Sequence, residues 1–249
     1  MKIMWKAAAT ADGKLDTIDC ESFIDAGCSE DFSGFILGEM LENLDSCYQV
    51  ENYRSKCHLL LTNTASNTAV RAPGLIQALA VTENIMESIA GAVGVSVEEI
   101  RKINMMTSEK CDTAVKDVAI AHYNLPNIWG QLEDSSEFEA RKAAVDEFNA
   151  QNKWRKRGIS MVPMRYGLGH GHVAGSNVTI NVHATDGSIE VFHSGQEMGQ
   201  GITTKILVTI SMALGVPIDS IFVHGTNTSV IPNGAGTPHN MDFPPKTWP

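Results

Sequence analysis

The sequence predicts an α+β fold built in two parts, and three patterns predict it. Two hairpin signals, with turns at residues 12–14 and 185–187, lie near opposite ends of the chain. Helical periodicity with capping signals fills much of the chain between them. A glycine-rich segment then joins the second hairpin to another helical pattern. We therefore expect a first part rich in helix and a second part in which a hairpin feeds a glycine-rich bend.

The first part is predicted from its hairpin onward. Its second strand is followed by a helix with apolar residues at helical spacing, a short strand and a long helix starting near Pro73. Gly94 ends that helix, and Ser96 with Glu99 forms a capping box for the next one. The predicted elements are a strand at 15–26, a helix within 32–48, a strand at 57–61, and helices at 73–93 and 97–104.

The second part is predicted to begin near residue 130. Residues 106–134 are mixed and carry the loop signals Asn124, Pro126, Asn127 and Gly130. The expected domains are therefore 1–130 and 131–249. A capping box at Ser136 opens a surface helix. The further predicted elements are that helix to about 152, strands at 159–166, 178–182 and 189–192, a helix at 202–214 and a strand at 221–223.

Charge and composition exclude some classes of binding partner. The formal net charge of −10 makes the chain a poor partner for nucleic acid or an anionic membrane, because both would repel it. Five cysteines without a C-x-x-C pair indicate reduced thiols, and no apolar run approaches the roughly 20 residues of a membrane span. We expect a cytoplasmic protein that binds neither nucleic acid nor a membrane.

The run HSGQEMGQGITTK, residues 193–205, is the most informative segment. Its glycines allow the backbone to approach a ligand, its amide side chains can donate and accept, and the start of a helix offers N–H groups to an anion. The alternative is a glycine-rich turn that binds nothing. The run matches neither G-x-G-x-x-G nor the P-loop pattern, so nothing in it favours a dinucleotide or a nucleoside triphosphate.

Several motifs occur together with this run, in a consistent order. They are LDSCYQVENYR, NTAVRAPG, ARKAAVDEFN, KWRKRGI, TDGSIEV and GQEMGQGITTKI. From near the N-terminus to about Gly236, the chain resembles the molybdenum-cofactor part of the xanthine dehydrogenase and aldehyde oxidase family. The resemblance implies a two-part molybdopterin-binding region that is incomplete at both ends.

The resemblance also implies roles for individual residues. Arg71 is expected beside the molybdenum centre, where a planar cation suits an oxyanion or phosphate; the alternative is an exposed arginine before a helix. The bend, with Met198, Gly199, Gln200 and Gly201, is expected to bind the pterin. We expect a buried Arg71 guanidinium and the bend to face one anionic pterin, with no protein ligand to the metal.

The family's full-length members hydroxylate heterocycles or aldehydes with oxygen from water. Molybdenum takes two electrons, and two-iron iron–sulfur clusters and usually FAD pass them on from domains that are absent here. A homo-oligomer is expected for the parent enzyme, and the rest of the hydroxylase, on the same or another chain, is the expected partner.

The sequence departs from the family pattern at several points. No glutamate follows Glu197, so the family's general base, near the end of the molybdenum part, is expected to be absent. The substrate-pocket positions hold Glu39 in place of an arginine, and Pro73 and His170 in place of two phenylalanines. An altered substrate is therefore expected instead of a purine such as xanthine. The tail at 238–249 diverges, which suggests a frame truncated or mis-spliced near Gly236.

Three interpretations follow. The first is a fragment of a molybdenum hydroxylase acting on a purine-like or other N-heterocycle or on an aldehyde, inactive by itself. The second is a non-catalytic binding or assembly fragment that pairs with a full subunit. The third is a truncated product without a stable fold, because a broken domain buries little apolar surface. The pair His170 and His172 also suggests a metal site, and the alternative is that both residues are polar lining of a pocket.

Overall fold

The computed structural model describes residues 1–107, 123–165, 177–195, 197, 199–225 and 227–232. The chain divides into two compact units, Met1–Tyr166 and Gly167–Pro249. The helices between residues 125 and 151 thus belong to the first unit. The domain boundary at 130/131 stays a prediction, and the tail at 238–249 lies outside the described residues.

The first unit combines a three-stranded sheet with helices. Its described elements are β1 (Lys2–Ala9), β2 (Leu15–Gly27), α1 (Ser33–Asn43), β3 (Asn52–Leu61), α2 (Leu75–Val93), α3 (Val97–Asn104), α4 (Leu125–Ser135) and α5 (Phe138–Gln151). The mixture of helices and strands confirms the predicted α+β class.

The predicted first hairpin is confirmed. β1 and β2 are antiparallel, and Gly13 adopts a φ of +85° in the turn between them. β3 lies on the other side of β2 and runs parallel to it. Residues along β1 and β3 alternate between exposed and half-buried, as expected for strands with one face on the core. The helices α1 and α2 contribute to the buried core of this unit.

The predicted end of α2 at Gly94 and the predicted start of α3 after Ser96 are also confirmed, whereas α2 begins at Leu75, two residues after the expected Pro73. Gly94 takes the left-handed conformation after α2, and its N–H donates to the Ala90 carbonyl at 2.8 Å. The Ser96 hydroxyl accepts from the Glu99 N–H at 3.2 Å and caps α3. The sequence therefore determines both the end of one helix and the start of the next.

Asn104, at the end of α3, connects that helix to the first hairpin. Its side chain is 3% exposed. The Leu15 N–H donates to Asn104 Oδ1 at 2.7 Å, and Asn104 Nδ2 donates to the carbonyls of Gly13 at 2.9 Å and Ile100 at 2.8 Å. This buried amide thus satisfies backbone groups that would otherwise lose their hydrogen bonds on burial.

Arg101 forms the centre of a buried polar network. It is 1% exposed; its Nε donates to Glu83 Oε2 at 2.8 Å and its Nη1 to Ser160 Oγ at 3.1 Å. The Tyr48 hydroxyl donates to the other Glu83 oxygen at 2.6 Å. Burial, with the negative Glu83 beside it, raises the pKa of Tyr48 far above its usual value. The network joins α2 and α3 to the chain after α5.

Three local predictions are wrong. Residues 125–135 form α4 where a loop was expected, because Pro126 lies in the first turn, where no N–H is needed, and the helix tolerates Gly130. The Ser136 capping box does not form: Glu137, with a φ of +51°, precedes α5 and makes no side-chain cap. Residues 159–165 form no strand, and Tyr166 lies outside the described residues.

The second unit contains a second small sheet. Its described elements are β4 (Val178–Val182), β5 (Ile189–His193), α6 (Ile202–Leu214), a 3-10 helix (Ile218–Ser220) and β6 (Ile221–Val223). β4 and β5 form the predicted antiparallel hairpin, and β6 pairs parallel with β5. Gly215, with a φ of +68°, ends α6 as predicted. The buried core consists of Ile189, Val191, Ile210 and Ile221.

The face of β4 that continues this core is uncovered within the described residues. Val178, Ile180 and Val182 pair with the buried side of β5 and so lie on the same face of the sheet. They are nevertheless 51%, 45% and 64% exposed. The core apolar contacts of α6 are with residues of β5 and β6. An apolar strip at the edge of the sheet thus remains accessible.

Among the residues that the structure describes, no single helix is both long and apolar enough to span a bilayer. The bent pair α2 and α3 meets a length-and-composition test only when the two helices are taken together.

Candidate functional site

The glycine-rich bend joins β5 to α6. Gly199 has a φ of +95° and Gly201 a φ of +77°, conformations that favour glycine. A methyl group added at Gly195 would clash with the Ile202 side chain and lie 3.1 Å from His193 Nδ1. The glycines thus allow the bend to turn tightly between a buried strand end and a buried first residue of the helix.

The Glu197 side chain binds the N–H groups of the bend and the start of α6. Its Oε1 accepts from Gly199 N at 2.8 Å and Gly201 N at 3.0 Å, and its Oε2 accepts from Thr203 N at 3.4 Å. These bonds, led by the one from Gly201, lower the pKa of Glu197 below its ordinary 4.5. The carboxylate is therefore charged at neutral pH.

This arrangement corrects the expectation that the start of α6 offers these N–H groups to a bound anion. Three of them already bind the chain's own carboxylate. The sequence left Glu197 without an assigned role. A signal was present, because an acidic side chain just before a helix is favoured by the helix dipole.

A cavity of about 480 Å³ lies beside the bend, within the roughly 300–1,000 Å³ typical of small-molecule sites. Its wall carries several polar side chains and is formed by the end of β5, the bend, the start of α6 and the chain after β6. The lining residues are His193, Ser194, Gly195, Glu197, Thr203, His224, Gly225, Asn227, Thr228 and Ile231.

Two histidines contribute to the cavity wall in different ways. His193 is 6% exposed, and burial lowers its pKa below 6.5, so its ring is neutral at neutral pH. His224 is more exposed; its ring stacks on Phe192 with centroids 4.8 Å apart, and its Nε2 lies 3.4 Å from Glu190 Oε1. In the described part of the chain, no group of three or more histidine, cysteine or acidic residues is arranged to hold a metal ion. His170 and His172 lie outside it.

The turn that carries Arg71 lies in the first unit, immediately before α2. Ala72 and Gly74 have φ values of +58° and +71°, so positive φ values flank Pro73. A methyl group at Gly74 would clash with the Met40 amide nitrogen and lie 2.7 Å from the Glu39 carbonyl carbon. The structure therefore brings Gly74, the residue after Pro73, against Glu39 on α1. The substrate-pocket roles of Glu39 and Pro73 stay predictions.

The predicted site residues have different outcomes. Arg71 is exposed in the described structure, which corrects the expectation of a buried guanidinium; the turn lies on the surface of its unit. Gly199, Gln200 and Gly201 lie in the bend as expected. Met198 and the third pocket residue, His170, lie outside the described residues. The ligand-binding roles of all these residues stay predictions.

The class of this protein follows from comparison with known families. Residues 1–105 match the model of a molybdopterin cofactor-binding domain, and residues 131–238 match that of a second such domain. The bend and its cavity lie within the second match. The two matched domains and the α+β units define a molybdopterin-binding protein.

Individual relatives identify the family. Nicotinate hydroxylase from Emericella nidulans is 32% identical over 236 residues, 94% of this chain and 17% of that protein. Aldehyde oxidase 1 of Macaca fascicularis is 37% identical over 230 residues, 92% and 17% respectively. Xanthine dehydrogenase of E. nidulans is 33% identical over 234 residues, 94% and 17%. The chain belongs to the xanthine dehydrogenase and aldehyde oxidase family of molybdenum hydroxylases, and it spans about a sixth of the length of these relatives.

A solved structure supports the fold. The aldehyde oxidoreductase from Desulfovibrio desulfuricans has a TM-score of 0.76 at 23% identity, covering 93% of this chain and 25% of that one. This confirms the predicted fold: the chain forms part of a molybdopterin-binding region of this type.

The cavity beside the bend has the volume and the hydrogen-bonding side chains to hold a pterin. Apart from its two chain neighbours, no atom of the described residues lies within 4 Å of the position where a side chain at Gly201 would begin, so these residues leave room for a ligand to approach the backbone. The N–H groups of Gly199 and Gly201 in the bend and of Thr203 in the first turn of α6 already bind the Glu197 carboxylate, and its negative charge disfavours a phosphate there. The residues present therefore suit the neutral, hydrogen-bonding part of a molybdopterin better than its anionic part.

Proposed function

We propose that this chain forms part of the cofactor-binding region of a molybdenum hydroxylase that oxidises an N-heterocycle or an aldehyde with water as the oxygen source. The observation that carries this proposal is the bend between β5 and α6 with its polar cavity, located within the second cofactor-domain match. The family assignment supports the reaction class.

The chain's own residues would bind and orient the cofactor. The molybdenum cofactor, when bound, supplies the two-electron oxidation. The Gln200 side chain and the bend's backbone would hydrogen-bond the pterin, and the neutral His193 ring would add a polar group without charge. Arg71 is exposed and permanently charged, so it can pair with an anionic oxygen of the cofactor in the assembled enzyme.

Glu39 supports a substrate other than xanthine. It is half-buried and lies against Gly74. The resemblance to the family implies that it occupies the position where xanthine-oxidising members carry an arginine. A carboxylate accepts hydrogen bonds from ring N–H groups and repels anions. A neutral N-heterocycle with N–H donors, or an uncharged aldehyde, therefore suits this pocket better than an anionic purine.

The isolated chain is proposed to be inactive. The 249 residues contain no glutamate after Glu197 to act as the family's general base, and Glu197 itself is bound to the backbone of the bend. Loss of a general base reduces rates by about 10²–10⁴-fold.

An assembly role is the second candidate, and the uncovered strip on β4 favours it. Val178, Ile180 and Val182 continue a buried core yet remain exposed, and exposed β-branched residues on an edge strand attract further polypeptide. The proposed occupant is another part of the same hydroxylase, which is proposed to form a homo-oligomer. The described cysteines form no disulfide, which supports the proposed cytoplasmic location.

One experiment separates these candidates. The purified 249-residue chain is assayed for bound molybdenum by elemental analysis, and its unfolding is followed by circular dichroism. Stoichiometric metal with a cooperative transition supports cofactor binding. A cooperative transition without metal contradicts it and favours the assembly role. No cooperative transition contradicts both and indicates a product without a stable fold.

A further inference from the structure

Glu197 fixes the bend by an intramolecular contact. Its two carboxylate oxygens accept from three backbone N–H groups, two, four and six residues further along the chain. The contact spans the whole path from the bend into the first turn of α6. It therefore consists of side-chain-to-backbone hydrogen bonds within one loop and is not a contact with a neighbouring element.

In a glycine-rich loop, such hydrogen bonds stabilise one backbone conformation against many others. Gly199 and Gly201 both have positive φ values, and glycine loses more conformational freedom on ordering than any other residue. A loop that orders only when its ligand arrives binds more weakly, because part of the binding free energy is spent on ordering. Hydrogen bonds donated by backbone N–H groups to a charged acceptor oppose this disorder in the unliganded chain.

We propose that Glu197 is a positioning residue that holds the bend in its cofactor-binding shape before the cofactor binds. The role rests on the proposed function, since it assumes that the bend binds the pterin. Glu197 acts through the backbone of Gly199 and Gly201, and it lines the cavity without any chemical step being assigned to it. Its negative charge at the start of α6 would repel a phosphate group placed at this helix end.

The test compares Glu197→Gln with a matched control, Asp186→Asn. The glutamine keeps the size of the side chain, but it removes the charge and replaces one acceptor oxygen by a donor. Asp186 also accepts from a backbone N–H, that of Ser188 at 2.9 Å, in the exposed hairpin turn of the same unit. The control thus removes one carboxylate charge and weakens one backbone contact away from the bend.

Two quantities are measured on the full 249-residue chain. The first is amide hydrogen exchange at Gly199, Gly201 and Thr203, with β5 amides as the internal reference. The second is molybdopterin content, measured as the fluorescent oxidised pterin released from purified protein. We expect Glu197→Gln to reduce protection of the three amides and pterin content by about tenfold each. Asp186→Asn should leave both at the wild-type level.

The proposal would be overturned if the three amides of Glu197→Gln were as protected from hydrogen exchange as those of the wild type. It would also be overturned if this protection were lost while the pterin content stayed the same. If the wild-type chain contains no pterin, the proposed function fails, and the exchange data alone decide whether Glu197 fixes the bend.

If the variant does not fold, NMR of the wild-type chain decides. The amide protons of Gly199 and Gly201 should titrate together with the Glu197 carboxyl group, at a midpoint below 4.5. If the amide chemical shifts of Gly199 and Gly201 do not change with this titration, Glu197 does not bind these N–H groups in solution. His193, the nearby group facing Glu197, is a separate probe because its ring charges in a different pH range.

Discussion

Replacing Gly74 by alanine should strongly destabilise the first unit. Gly74 has a φ of +71°, where an added side chain costs about 1–2 kcal/mol. The new methyl group would also clash with the Met40 amide nitrogen and lie 2.7 Å from the Glu39 carbonyl carbon. These are backbone atoms of α1 that cannot rotate away, and overpacking of this kind costs about 1–3 kcal/mol. The expected total is a loss of about 2–5 kcal/mol in the free energy of unfolding.

Gly91→Ala provides a matched control with the opposite sign. Gly91 lies in the last turn of α2, the helix that Gly74 precedes, and apart from the helix's own backbone a side chain there would meet no atom of the described residues within 4 Å. Alanine in an open helix interior is favoured over glycine by about 0.5–1 kcal/mol. Both variants are compared with the wild-type chain by urea denaturation followed by circular dichroism, using the change in midpoint at constant slope.

The two results together test the reasoning. If Gly74→Ala unfolds at the wild-type midpoint, the close approach of the turn to α1 is not present in solution. If both variants shift the midpoint in the same direction, the effect of alanine is general to this chain and does not arise from the backbone geometry at Gly74.

Three further predictions concern other parts of the chain. Arg101→Met should lower the free energy of unfolding by about 3–5 kcal/mol, because the Glu83 carboxylate loses its buried cationic partner. Adding Glu83→Gln to this variant should restore part of the loss, measured by denaturation. A double variant as unstable as Arg101→Met would argue against the ion pair. The buried His193 has a lowered pKa, so its contribution to stability is complete above the unfolded value of 6.5 and is lost as pH falls through the folded value. The second unit should therefore melt at a lower temperature at about pH 5 than at about pH 7.5, and a His193→Gln variant that keeps the full difference would refute this assignment. Arg71→Ala should leave the melting temperature within the small range of surface substitutions, since the side chain is exposed, but should lower molybdopterin content by about tenfold; equal pterin content in the variant and the wild type would remove Arg71 from the cofactor site.

Elements with strong local signals could be predicted from the sequence. α2 and α3 combine helical periodicity with a glycine stop at Gly94 and a capping residue at Ser96, and both ends form as expected. The two hairpins were predicted because glycine-containing turns separate apolar runs of strand length. In these cases local propensity and tertiary packing favour the same structure.

Other features depend on contacts that the sequence does not display. The loop signals Pro126 and Gly130 lie inside α4, where burial of Trp129 with Phe138 and Met161 outweighs local propensity. The parallel pairing of β3 with β2 joins residues more than 30 positions apart. Arg71 was expected to be buried because of the family's cofactor site, whereas the first unit by itself leaves it on the surface.

The candidate site was predicted at the level of the segment and not of its internal bonding. The position of the bend between β5 and α6 follows from alternating apolar residues, three glycines and a helical pattern. Which acceptor meets the N–H groups of the bend depends on the rotamer of one side chain, and no periodicity reports that. Glu197 was therefore the residue of the bend whose hydrogen bonds the sequence did not predict.

The hydrogen bonds of Asn104 limit how this protein can be shortened. The Leu15 N–H and the Gly13 carbonyl are both satisfied by an amide about 90 positions away, at the C-terminal end of α3. A recombinant piece that stopped before Asn104 would contain the whole three-stranded sheet. Its first turn would still lose the hydrogen-bond partner of the Leu15 N–H and the Gly13 carbonyl. The smallest autonomous portion of the first unit must therefore extend through α3, and any attempt to transplant the hairpin must carry this distant amide with it.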